Sequence, residues 1–286
     1  MWCEAMASFR PDWCASPADV IAAKEQVKLK RITKAVDRTL RWLDTCLNKC
    51  KELDIPLFAP VVGFNSKEER ARSAKSAAER EVQGFVLNAF ELPAQDQLEF
   101  LQYSMDHLPA EKPRMAYGLS TPEKILAGIA QGIDLFDASY AYKMTERGRA
   151  IQFEFGTGKT PSEEEPQDKT LNLWDTGMAH RFEPVDSACT CYTCSTPFSK
   201  AYIHHLLNAH EMLGPLLLMI HNVHQLERFM VAVRNSIDQK RFSQDRDAFM
   251  KYYRHDKEPS GEIGHQDEVD VDCLGSPTKK KRTLLL

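Results

Sequence analysis

The sequence predicts an α/β fold, a parallel sheet followed by a helical region that carries a cluster of metal-ligand residues. Two patterns carry that expectation. Between about residues 55 and 155, short apolar runs alternate with helical segments at the spacing of β-α-β units. After about residue 185 the strand pattern stops, and three closely spaced cysteines lead into two long helical segments.

The chain has 286 residues and is 43 % hydrophobic, enough for one large domain or two small ones with a sizeable core. It contains no run of about 18 apolar residues, so no membrane span is expected. The first residues, MWCEAMASFRPDWC, lack the apolar stretch of a secretory signal. A reducing, cytoplasmic setting follows as the expectation, in which the eight cysteines are thiols or metal ligands rather than disulfides. A net charge of −4 excludes a protein-wide basic field, so any nucleic-acid contact must come from a local patch or from a partner.

Residues 1–33 show no clear period and are expected to be irregular. From about Lys34 to Lys51, Val36, Leu40, Leu43 and Leu47 fall at helical spacing with charged residues between them. Leu57–Val62 reads as a strand ending at Gly63. Ser66–Arg80 reads as a polar helix, with Ser66 as N-cap and Glu69 three residues on, the capping-box spacing. Gln83–Phe90 is the next strand, Pro93–His107 a helix and Met115–Gly118 a short strand. Thr121–Gln131 is a helix capped by Thr121 with Pro122 in its first turn. Ile133–Phe136 is a strand, and Ala150–Phe155 is a candidate for one more.

These readings make four or five strands. A closed barrel of eight strands takes about 250 residues, so the sheet is either open or part of a barrel whose first strands are absent. The predicted organisation is therefore a (β/α) region over 34–155, an acidic solvated insertion over 156–185 around Glu163, Glu164, Glu165 and Asp168, a helical region over 186–245 and a disordered tail over 246–286.

The strongest chemical signal is Cys189, Cys191 and Cys194, three thiols within six residues. Thiolates bind zinc, and short spacing lets one turn offer several sulfurs to one ion. A fourth ligand would close the site, and a closed four-ligand site is structural, because catalytic zinc keeps a position for water. Spacing leaves that ligand open among His204, His205, His210, His221 and His224. Cys46 and Cys50 lie one helical turn apart and read as helix thiols, while Cys3, Cys14 and Cys273 fall in expected loops. Lys67, Arg70, Arg72, Lys75 and Arg80 share one helix with Glu68, Glu69 and Glu79 and read as a solvated face rather than an RNA contact. Lys279, Lys280, Lys281 and Arg282 read as a solvated end, with nuclear import or phosphate binding as the alternative.

RFEPVDSACTCYTC (181–194) and KAYIHHLLNAHEMLGPLLLMIHN (200–222) resemble the C-terminal part of the tRNA-guanine transglycosylase family. That family carries a C-x-C-x₂-C cluster, an A-Y-hydrophobic-H-H helix and an I-H-N segment. PRMAYGLSTPEKILAGIAQGIDLFD (113–137) resembles its strand, P-E helix and D-hydrophobic-F-D strand end. AVDRTLRWLD (35–44), EERARSAKSAAEREVQGFVLNAFEL (68–92) and MTERG (144–148) are most similar to the non-catalytic branch of the eukaryotic enzyme. The likeness spans roughly residues 30–240.

The resemblance implies a TIM-type (β/α) barrel, here partial, with a C-terminal helical zinc-binding subdomain. It selects His221 as the fourth ligand, giving one structural zinc on Cys189, Cys191, Cys194 and His221. The segment between Cys194 and His221 is one residue longer than the family pattern, taken up at Thr196-Pro197-Phe198. The resemblance further implies a heterodimer with a catalytic subunit, which exchanges guanine for queuine at the tRNA wobble position, with tRNA held through the complex. Asp137 aligns with the family's nucleophilic aspartate at a strand end. Three departures set it apart as inactive. Ala138-Ser139-Tyr140-Ala141-Tyr142-Lys143 replaces the C-V-x-P-T-R run, Leu87-Asn88-Ala89-Phe90-Glu91 replaces a glycine-rich purine-binding segment, and the partner aspartate has no counterpart. The expectation is no catalytic and no cofactor-binding residue. The alternatives are an active transglycosylase using Asp137, and a zinc-stabilised protein-interaction module.

Overall fold

The computed structural model describes residues 1–22, 26–156 and 170–253. A five-stranded parallel sheet forms its base, with β1 (Cys14–Ala15), β2 (Leu57–Val61), β3 (Gly84–Asn88), β4 (Arg114–Tyr117) and β5 (Leu135–Phe136) in sequential order. Each strand pairs with the next, in registers such as Cys14↔Leu57, Val86↔Met115 and Ala116↔Phe136. The sheet curls as a half-barrel, which gives the α/β barrel-type architecture that the sequence predicts.

Alternation along the strands sorts the side chains. Leu57, Ala59, Val61, Phe85, Leu87 and Ala116 face the main core, where they meet α2 (Leu29–Leu53), α3 (Lys67–Ala78) and α4 (Gln97–Met105). Phe58, Val86 and Met115 form a smaller cluster on the other face with Ala15 and Tyr117. Gly84 permits this cluster, since a Cβ there would lie 2.6 Å from the Phe58 ring.

Both predicted caps form. The Ser66 side chain accepts from the Glu69 N–H, and that of Thr121 from the Lys124 N–H at the start of α5 (Pro122–Ala130). Glu69 does not reach back to close the capping box; its carboxylate binds Thr33 and Arg72 instead.

Several expectations are corrected. Residues 1–33 are not irregular throughout: α1 (Trp2–Phe9) packs on α2, β1 is the first strand of the sheet, and α2 begins at Leu29. Two residues are too few to show a period, so β1 is invisible until its partner is in place. The strand near Ala150 exists as β6 (Arg149–Ile151), but it leaves the parallel sheet and pairs antiparallel with β7 (Thr170–Asn172). The 156–185 region is thus not one acidic loop, since it holds β7 and a 3₁₀ turn over Thr176–His180. Glu163, Glu164, Glu165 and Asp168 lie outside the described residues, as do Cys273 and Lys279–Arg282. Helix α6 (Ser139–Glu146) follows β5, and α10 (Phe242–Tyr252) runs into what was expected to be tail.

The helical region contains α7 (Tyr192–Ser195), α8 (Lys200–Asn208) and α9 (Leu213–Asp238). It is packed into the same unit as the sheet, which extends over Met1–Arg254. Tyr140, Phe153, Phe155, Phe229, Phe249 and Tyr253 make an aromatic cluster that joins α6, α9 and α10. The edge-on pairs of Phe153 with Phe229 and Phe249, at 5.2 and 5.6 Å, are the favoured ring arrangement.

Candidate metal centre

Cys191 is the N-cap of α7, Cys194 lies inside that single turn, and Cys189 stands in the loop just before it. A short helix started on one cysteine therefore turns three sulfurs to the same side. His221 reaches them from the third turn of α9, 27 residues beyond Cys194. All four side chains are buried, His221 completely. Their ligand atoms lie within 4.8 Å of one another.

The distances test whether a metal fits. A tetrahedral zinc with bonds of about 2.3 Å to sulfur and 2.0 Å to nitrogen requires S···N edges of ~3.6 Å. His221 Nδ1 lies 3.7, 3.7 and 3.4 Å from the sulfurs of Cys189, Cys191 and Cys194. The other ring nitrogen, Nε2, is 2.9 Å from the Ile151 carbonyl oxygen. A carbonyl can only accept, so the proton sits on Nε2 and the Nδ1 lone pair faces the sulfurs, the arrangement that orients a metal-binding imidazole.

Electrostatics point the same way. Burial raises the Cys189 and Cys194 thiols above their ordinary value, and neighbouring sulfur adds to the effect. Burial also acts to raise Cys191, but its contacts with His221, Cys194 and Cys189 outweigh it and hold that thiol at about 6. Three thiolates in one dry pocket repel one another, and a divalent cation is the partner that would let all three ionise together.

Residues around the cluster fix its shape. Asp186 accepts from Ala188 N–H at 2.9 Å and from Gln225 of α9 at 3.2 Å, which ties the cysteine loop to the histidine helix. The Thr193 hydroxyl donates to the Leu217 carbonyl at 2.6 Å, a second tie. Asn222, next to His221, accepts from Ile151 N–H and donates to Arg149 O and Thr145 Oγ1, clamping β6 onto α9. Sequence reasoning missed Asp186 and the part played by Asn222; the only local signal was their nearness to the candidate ligands.

Of the other histidines, His204 faces the Leu173 carbonyl at 2.8 Å, and His224 faces Thr190 at 3.4 Å. His205 and His210 are exposed. Among the described residues, the cysteine cluster gathers His221 alone.

Asp137 stands at the end of β5, half-buried. Its two carboxylate oxygens accept from Gly118 N–H at 3.0 Å and from Ser139 N–H at 3.1 Å. Gly118 has φ of 90°, and a Cβ there would come 3.0 Å from the Phe90 ring, so Phe90 lies over the backbone beside Asp137. Lys143, on α6, donates to Ser120 at 2.6 Å rather than to Asp137.

Glu91 was noted in the sequence only as part of a segment without glycine. It is fully buried and pairs with Arg70 at 3.2 Å. It also accepts from the Ile21 and Phe64 N–H groups, while Arg70 donates to the Phe64 carbonyl and to Ser104. One buried pair thereby holds the loops that follow β1, β2 and β3. Burial pushes Glu91 up to about 7, with Arg70 and the backbone donors opposing it. The solvated-face reading of the 67–80 cations is corrected for Arg70, whose partner lies 21 residues away. Arg72 and Arg80 are held by Asp37 and Asp44 of α2.

Cys14 is likewise corrected, because it lies in a strand and its sulfur is 3.6 Å from that of Cys50. Burial pushes Cys14 and Cys46 up to about 12, which keeps them protonated and inert.

The chain matches a family model described as queuine tRNA-ribosyltransferase over residues 3–255. It is 35 % identical over 269 residues to queuine tRNA-ribosyltransferase accessory subunit 2 of Danio rerio, covering 82 % of this chain and 64 % of that protein. Against the protein of the same name from Homo sapiens, identity is 32 % over 273 residues, 83 % of this chain and 65 % of the relative. Against that of Ixodes scapularis it is 37 % over 223 residues, 72 % and 56 %. The chain thus spans less than two thirds of the length of these relatives.

Proposed function

The chain belongs to the queuine tRNA-ribosyltransferase family, and from that premise we propose that it acts as the non-catalytic subunit of a tRNA-guanine transglycosylase. In this reading it pairs with the catalytic subunit in the cytoplasm and supports exchange of guanine for queuine in tRNA held by the complex. The relatives' names support the accessory role. The observation that carries it within the chain is the state of Asp137. Both of its oxygens are engaged by backbone N–H groups, as in a carboxylate that closes a strand end. Among the described residues, no carboxylate or histidine hydrogen-bonds to it to serve as acid–base partner.

The metal belongs to the same reading. Cys189, Cys191, Cys194 and His221 would hold one zinc ion, whose contribution is to cross-link the cysteine loop to α9. With four protein ligands the site would have no position for water or substrate, so its role is structural. Asp186, Thr193 and Asn222 would help to keep these ligands in place through their bonds to α9 and β6.

Co-expression with the catalytic subunit tests the proposal. A stable complex is expected, with base exchange well above that of the catalytic subunit alone. A chain that neither co-purifies with that subunit nor changes its activity would overturn the reading.

A further inference from the structure

Helix α2 carries a concentration of positive charge that the acids among the described residues neutralise only in part. Between residues 28 and 41 stand Lys28, Lys30, Arg31, Lys34, Arg38 and Arg41, against the single acid Asp37, in a chain whose net charge is −4. Lys30, Lys34, Arg38 and Arg41 are exposed, and at 100° per residue they occupy an arc of about 80° opposite the buried ridge of Ile32, Val36, Thr39 and Leu43. The stripe from Lys30 to Arg41 is about 16 Å long.

The nearby acids are committed elsewhere. Asp37 is held by Arg72 of α3 and Asp44 by Arg80 just beyond the end of that helix. Asp19 binds Arg31 and Arg38 together. Among the described residues, no carboxylate pairs with Lys30, Lys34 or Arg41. The helix also opens on Lys28, Lys30 and Arg31 with no acid in its first turn, an order that the helix dipole disfavours. Cations kept against that local rule are expected where they serve a partner.

Position and neighbours narrow the partner. α2 follows β1, so its basic end lies at the end of the sheet where the parallel strands finish, the side on which barrel proteins work. Trp42 is 40 % exposed beside the stripe, with the Arg38 guanidinium 6.0 Å from its ring centre. A row of cations next to an open aromatic face suits a nucleic-acid backbone with an accessible base.

We infer that the exposed face of α2, through Lys30, Lys34 and Arg41 with Trp42 beside them, is an RNA-binding surface that contacts the phosphate backbone of tRNA. The inference rests on the accessory-subunit reading and adds the surface by which this chain itself would touch the RNA.

The test uses the full chain assembled with its catalytic subunit and a labelled unmodified tRNA transcript, titrated from 50 to 200 mM salt. Lys30→Ala/Lys34→Ala/Arg41→Ala is compared with Lys75→Ala/Lys112→Ala/Arg234→Ala, which removes the same charge from positions outside α2. Alanine keeps the helix. Losing three phosphate contacts should flatten the plot of log affinity against log salt by about 2, and weaken binding on the order of 100-fold at ~0.1 M salt. The control should lose no more than a few-fold, and Lys30→Arg/Lys34→Arg/Arg41→Lys should keep the affinity. Equal losses in both triple variants, or none in the first, would overturn the inference. So would an α2 variant that retains tRNA binding but loses binding to phosphatidylserine vesicles, which would assign the stripe to a membrane surface. Failure to assemble with the catalytic subunit would count against the functional reading; assembly with unaltered tRNA binding would count against this surface alone.

Discussion

His221→Ala is the sharpest perturbation of the candidate metal centre, because it removes one ligand and one buried hydrogen bond together. Zinc binding in structural sites is worth about 10–16 kcal/mol across four ligands, so the proportional share of one is ~3–4 kcal/mol, a few hundred-fold in Kd. Loss of Nε2 also leaves the Ile151 carbonyl without its 2.9 Å donor, at a cost of about 1–3 kcal/mol if nothing replaces it. The combined loss of ~4–7 kcal/mol is comparable with the whole stability of many domains. Purified wild type should carry about one zinc per chain and yield it slowly to a chromogenic chelator. The variant should lose the metal to the same chelator at concentrations where the wild type keeps it, and should melt many degrees lower. His205→Ala, on the exposed side of α8, should behave as wild type. Stoichiometric zinc in the His221 variant with wild-type resistance to the chelator would refute the ligand assignment.

Three further outcomes follow from the same geometry. Asp137→Asn should leave base exchange by the assembled complex nearly unchanged, at a folding cost of about 1 kcal/mol because the amide can satisfy only one of the two backbone donors; a drop of several orders of magnitude with assembly intact would make this chain a catalyst. Arg70→Met should destabilise by about 3–5 kcal/mol in urea titration by stranding the buried Glu91 charge, and Arg70→Met/Glu91→Leu should recover most of it; a double variant no better than the single would show that the pair is not coupled. Glu91 has its native value raised to about 7 from an ordinary 4.5, so between these values the folded state binds more protons than the unfolded, and the stability due to this group increases as pH falls from 7 toward 4.5. The stability difference between wild type and Glu91→Gln should therefore shift in favour of wild type from pH 7 to pH 5, and a flat or opposite trend would remove that assignment.

Local patterns were enough for the α/β class, the capped helices at Ser66 and Thr121, and the three cysteines of the candidate metal cluster, because periodicity, capping and the crowding of Cys189, Cys191 and Cys194 are all properties of neighbours in the chain. The likeness of the I-H-N segment to its family singled out His221, which spacing alone could not separate from four other histidines. Tertiary structure decided what depends on distant partners. Two residues became β1 only beside Leu57 and Phe58. The strand at Arg149–Ile151 left the main sheet because Thr170–Asn172 pairs with it. Arg70, one cation among many on a polar helix, went into the core because Glu91 and the Phe64 carbonyl were there to receive it. Cations that look alike in sequence were divided the same way, since Asp37 and Asp44 of α2 are taken by Arg72 and Arg80 and leave Lys30, Lys34 and Arg41 facing solvent. A charge's role is set by the field of the groups around it, and only folding brings those groups together.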